Sequence, residues 1–182
     1  MKYFYAGFTP EVERKVFEAV RDLIGAEFGC PVKEIALPGA EFAFDAGRRQ
    51  YRSMDVLEML AREVPEDGWK LLALTERDLF VPVLTFVFGQ AQLAGRLAVV
   101  SLARLRQEFY GLPPNAELLL DRAAKEVLHE AGHTFGLVHC AERTCAMSLA
   151  TNVRHIDEKR AGWCPACAAH VRRAQGALGR AP

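Results

Sequence analysis

The chain has 182 residues, 51% of them apolar, with 23 basic and 23 acidic side chains. That length and apolar share suit one domain, or one with a small appendage, around a sizeable core. Balanced charge gives no general pull toward nucleic acid or an anionic membrane, and no apolar run is long enough to span a bilayer. There are no internal repeats and no low-complexity tract.

In chain order, residues 2–8 read as a strand, and Thr9 and Pro10 suit the N-cap and first position of a helix. Apolar residues then recur at helical spacing through 11–28 (Val12, Val16, Phe17, Val20, Leu23, Ile24), and Gly29 ends the helix. Residues 32–37 read as a strand and 41–52 as an extended segment. Ser53 is expected to cap a second helix over 54–64. A buried strand over 69–75 is followed by the polar break Glu76-Arg77-Asp78. Residues 83–88 and 96–102 are β-rich and form a hairpin-like pair. After Pro113-Pro114-Asn115 a long helix is expected over 118–135. A last helix over 157–178 is interrupted near two cysteines, and residues 176–182 are expected to fray. The pattern specifies an α/β (α+β) fold: a mixed sheet with one antiparallel edge. An edge strand offers unpaired backbone groups to a peptide, and residues 86–92 are the candidate edge.

The densest chemistry is His129-Glu130-Ala131-Gly132-His133-Thr134-Phe135-Gly136-Leu137-Val138-His139. Residues four apart share a helix face, so His129 and His133 can present two imidazoles to one ion. Gly136 lets the chain leave the helix with a positive φ and bring His139 back as a third ligand. Three protein ligands leave a position for water, the catalytic arrangement of zinc. Glu130 stands beside the ion without ligand duty and can take a proton from zinc-bound water.

Just downstream, Cys140, Cys145, Cys164 and Cys167 form two close pairs separated by a loop. A tetrahedral four-thiolate zinc site, two disulfides, or a redox pair at Cys164-Pro165-Ala166-Cys167 all fit such spacing. The chain's start lacks the apolar run of a signal peptide, which points to a reducing cytoplasm and favours metal. Cys30 stands alone in an apolar setting and reads as a buried thiol.

The run from His129 to Cys167, with Met147 between the cysteine pairs, resembles the archaemetzincins, zinc metallopeptidases of the metzincin clan. The likeness extends upstream through Phe88-Gly89-Gln90-Ala91, 95–102 and Lys125-Glu126, and covers the second half of the chain specifically. The spacing from Met147 to Cys164 is one residue shorter than the family pattern, which a loop tolerates. The resemblance implies a catalytic zinc on His129, His133 and His139, Glu130 as general base, and a structural zinc on the four cysteines. It also implies a metzincin-like fold with Met147 in a Met-turn beneath the catalytic ion. Residues 1–139 would supply the sheet, helices and active-site helix, and 140–182 the Met-turn, cysteine site and C-terminal helix. On this reading the chain is a cytoplasmic monomer with two Zn2+ ions that hydrolyses peptide or protein substrates.

Lesser candidates follow. No tyrosine lies beyond Tyr110 to help hold an oxyanion, leaving Asn152 and His155 in the corresponding region. Asp157 is either a carboxylate supporting a metal-bound histidine or the N-cap of the next helix. His170 is a spare ligand or a surface histidine, and Trp163 is expected to pack around the cysteine site. Two rival readings are a zinc-containing peptide-binding protein without proteolysis, and a cysteine-loop module touching nucleic acid through Arg143, Arg154, Lys159 and Arg160. Interspersed acidic residues weigh against the second.

Overall fold

The protein is described here by a computed structural model covering residues 3–178. Its first strand, β1 (Tyr3–Phe8), leads to helix α1 (Arg14–Phe28), which Gly29 ends with φ 58°, as the sequence expects. Strand β2 (Val32–Ala36) follows, then β3 (Phe44–Asp45), β4 (Gln50–Arg52) and helix α2 (Ser53–Glu63). Next come β5 (Gly68–Thr75), β6 (Leu79–Phe80), β7 (Gly89–Ala91) and β8 (Leu97–Ser101). Helices α3 (Ala116–Thr134), α4 (Val153–Glu158) and α5 (Pro165–Leu178) complete the chain.

The main sheet has the order β2-β1-β5-β8-β7, parallel throughout except for β7, which runs antiparallel at the edge. Its central strands are buried on both faces, which is why they are almost uninterrupted runs of apolar residues. Alternate side chains divide between two cores. Phe4, Ala6, Leu72, Leu74, Ala98 and Val100 meet α1 and α3 on one face. Tyr5, Leu71, Ala73, Leu97 and Val99 meet α2 on the other. The mixed sheet with an antiparallel edge is therefore the expected one. A small second sheet, β3-β4-β6, was not foreseen.

Several local expectations are corrected. Thr9 does not cap α1: the chain first makes a separate turn from Val12 N–H to Thr9 C=O, and the Thr9 hydroxyl donates to Glu11. Ser53 is already helical, and its hydroxyl donates to Phe80 C=O across to β6 rather than capping. Residues 41–52 hold a 3-10 turn and two short strands instead of one extended segment. Residues 83–88 form no strand, because side chains take the carbonyls a ladder would use. Arg48 donates to Leu84 and Pro82 C=O, and Gln50 donates to Thr85 C=O. Val87 makes a single bridge to Leu79, and Phe88 C=O accepts from Ser101 N–H just before β7 begins. The long helix expected over 118–135 starts earlier, at Ala116, because the Asn115 side chain accepts from Leu118 N–H. The expected last helix is two, α4 and α5, and residues 179–182 of the fraying tail lie outside the described residues.

Candidate metal centre and active-site cleft

Helix α3 crosses beneath the edge strand and carries His129, Glu130 and His133 on the face turned to a cleft of about 760 Å³. Gly136, at φ 89°, then turns the chain so that His139 faces the same point. One nitrogen each of His129, His133 and His139 lies within 4.8 Å of the others. His129 Nδ1 is 2.8 Å from Ala146 C=O and His133 Nδ1 is 2.7 Å from Leu137 C=O. A carbonyl only accepts, so in both rings the proton sits on Nδ1 and Nε2 carries the lone pair. Those two Nε2 atoms face each other at 3.1 Å. Two lone pairs at that distance cannot hydrogen-bond; they repel unless a cation lies between them. Burial holds all three imidazoles below their ordinary pKa, so they are neutral donors near pH 7. The donor set fits zinc, which takes neutral imidazoles at about 2.0–2.1 Å.

Glu130 is 4% exposed and accepts no hydrogen bond from a described side chain. Burial, then the neighbouring Glu126 carboxylate, pushes its pKa well above the usual carboxylate range, with Lys159 opposing. It is pressed against the edge strand at Gly89. A Cβ there would stand 2.6 Å from Glu130 Cγ and 2.7 Å from both Glu130 Oε1 and Val99 C=O.

Met147 is fully buried under the helix, and Gly132 makes the room: a Cβ at that position would lie 2.4 Å from Met147 Sδ. The methionine packs against α3 at Gly132, a position between His129 and His133 in the sequence.

The four cysteines converge as well, with one sulfur each of Cys140, Cys145, Cys164 and Cys167 within 4.8 Å of the others. Cys140 and Cys164 are 3.9 Å apart, against about 2.05 Å for a disulfide, and no pair is bonded. The Cys167 backbone N–H lowers the Cys164 thiol to about 7, while burial raises those of Cys145 and Cys167. Four crowded sulfurs with opposed proton affinities are what a cation that displaces protons would use. The two groups are joined through the backbone: His139 precedes Cys140, and Cys145 precedes the Ala146 carbonyl that holds His129.

The lesser candidates fare differently. Asn152 caps α4, and neither it nor His155 lines the cleft. Asp157 is neither an N-cap nor a support for a histidine. It lies inside α4 and clasps Arg122 through two bonds of 2.7 and 2.8 Å. His129 and His133 rest on backbone carbonyls instead, a support no residue type announces. His170 is half-buried against Phe135 C=O and lies outside the cysteine group. Trp163 packs edge-on to Phe28 and donates to Leu128 C=O. Of the four cations proposed for nucleic acid, Lys159 is buried against Glu126 and Arg143 pairs with Glu158. Sequence reasoning also missed Lys70. Its ammonium, brought down to about 8 by burial, donates to Thr134 and Gly95 C=O at 2.6 Å. A cation there suits the carbonyl end of α3 and ties it to the β7–β8 loop.

Peptidase family M54 matches residues 15–173. The archaemetzincin of Methanocaldococcus jannaschii is 39% identical over 159 residues, covering 86% of each chain. That of Methanopyrus kandleri is 42% identical over 150 residues, covering 82% of this chain and 80% of its own. The M. kandleri crystal structure superposes with a TM-score of 0.83 at 34% identity, covering 98% of this chain and 97% of that one. The structure of a zinc-dependent peptidase from Methanocorpusculum labreanum gives 0.85 at 31%, covering 92% and 99%. By these likenesses the chain belongs to peptidase family M54, the family of the archaemetzincins, and is a zinc metallopeptidase.

Proposed function

We propose that the chain hydrolyses peptide bonds at the three-histidine centre, with Glu130 as general base and a second, structural zinc on Cys140, Cys145, Cys164 and Cys167. The observation that carries this reading is the pair of lone-pair nitrogens held 3.1 Å apart beside a buried carboxylate. Zinc held by His129, His133 and His139 would lower the pKa of its bound water to about 7 and polarise a carbonyl.

The protein's own groups do the rest. Ala146 and Leu137 C=O fix the imidazoles, so little reorganisation accompanies ligation. Glu130, with its proton affinity raised by burial, takes the proton of the attacking water and delivers it to the leaving amine. Phe88 C=O and Gln92 N–H bond to β8, so by alternation the backbone groups of Gly89 and Ala91 face the cleft. They suit a substrate backbone added as a further strand. Leu93, Val138 and Leu149, all exposed, rim the cleft with apolar surface for substrate side chains.

Glu130→Gln should leave zinc content and fold unchanged while lowering kcat by about 10²–10⁴-fold. A peptide-library cleavage assay with elemental analysis of the same samples checks it. Undiminished cleavage would remove Glu130 from the mechanism.

A further inference from the structure

We propose that Glu126, backed by Lys159, floors a substrate subsite that selects a side chain with an apolar stem ending in an uncharged N–H or O–H donor. This rests on the peptidase reading above.

Glu126 lines the cleft one helical turn before Glu130. Gly89 abuts Glu130, and Ala94 N–H bonds to His133 C=O, so the edge strand runs along α3 from the Glu130 end to the His133 end. Glu126 therefore stands at the end where residues 84–88 form the wall. That wall is largely apolar, carrying Leu84, Phe86 and Phe88 beside Thr85, and the Arg104 guanidinium, itself paired with Asp78, lies 4.0 Å over the Phe86 ring.

Against these walls sits a buried ion pair. Lys159 is fully buried in its side chain, Glu126 is 3% exposed there, and Lys159 Nζ donates to Glu126 Oε1 at 3.0 Å. Among the described residues no donor bonds to the second oxygen of Glu126, and Glu126 is one of the residues that line the cleft. A buried pair of this kind gains the fold little over two apolar side chains of similar volume. Its place in the cleft gives it a task that an apolar pair would not perform.

The chemistry of the occupant follows from the pair. A purely apolar side chain would cover the free oxygen, displace water and leave the oxygen unpaired, which binding sites penalise strongly. A substrate ammonium or guanidinium would meet Lys159, already 3.0 Å from the same carboxylate, and the like charges would oppose each other. An amide N–H or a phenol O–H satisfies the oxygen at no charge cost, while its stem packs on Phe86 and Leu84.

The test uses zinc-loaded Glu130→Gln protein and peptides of one sequence varied at one position at a time. Binding is measured by competition against a fluorescent peptide. The pairs are Tyr against Phe and Gln against Met, with Lys as a third arm. At one position Tyr and Gln should bind about tenfold or more tighter than Phe and Met. In a Glu126→Leu/Lys159→Met double variant with parental zinc content and circular dichroism, the preference should vanish or reverse. Equal binding within both pairs in the parent protein would overturn the subsite, and that comparison stands even where the double variant does not fold. So would tightest binding by Lys, or a preference that survives the double replacement. Failure of every peptide to bind would overturn the peptidase reading and the subsite with it.

Discussion

Cys167→Ser is expected to lose metal from both centres, whereas His133→Ala should lose it from one. The asymmetry follows from the connections between the groups. The cysteine site closes the segment 140–167, and that segment carries Ala146, whose carbonyl holds His129, and Met147, which supports the helix. With one thiolate gone, the remaining cysteines lose most of their affinity for zinc, and binding energy of a structural site is folding energy. A loss of about 3 kcal/mol would lower Tm by about 10 °C in a chain of this size. His133, by contrast, sits at the end of α3 with Lys70 and the β7–β8 loop holding that end independently. Thermal unfolding with and without chelator, beside elemental analysis, separates the two cases. A Cys167→Ser protein that keeps a full histidine-bound zinc and its parental Tm would show the centres to be independent.

Gly89→Ala is the smallest change with a large expected effect on chemistry. The new methyl would lie within 3 Å of Glu130 Cγ, Glu130 Oε1 and the Val99 carbonyl. The backbone carbonyl belongs to the β8 ladder and yields least, so the carboxylate is the group displaced. A misplacement of about 1 Å in a catalytic group costs about 10²-fold, and overpacking here costs stability by about 1–3 kcal/mol. The result expected is a fall in kcat/KM of about 10²-fold with zinc content unchanged, read by steady-state kinetics and elemental analysis. Parental kinetics would mean that Glu130 is not held where the edge strand meets α3.

What the sequence disclosed was set by how local each signal is. Helix α3 and the three histidines were legible because a ligand pair at i and i+4 and a turn glycine are properties of adjacent residues. The central strands β1, β5 and β8 were legible as nearly continuous apolar runs. Residues 83–88 misled because β-rich composition says nothing about carbonyls taken by Arg48 and Gln50, more than 30 residues away. Thr9 and Ser53 misled because each hydroxyl found a partner that competes with the cap. Lys159 resembled a solvated charge in a mixed run, and only the fold shows its partner, 33 residues earlier. The carbonyls behind the histidines belong to Ala146 and Leu137, whose side chains carry no hint of the role.

The most direct measurement is zinc per chain, by elemental analysis, in protein purified without added metal. Two ions are expected, falling to one in His133→Ala. One ion that persists through substitution of the histidines and vanishes with the cysteines would contradict that expectation, since the facing nitrogens of His129 and His133 would then hold no metal.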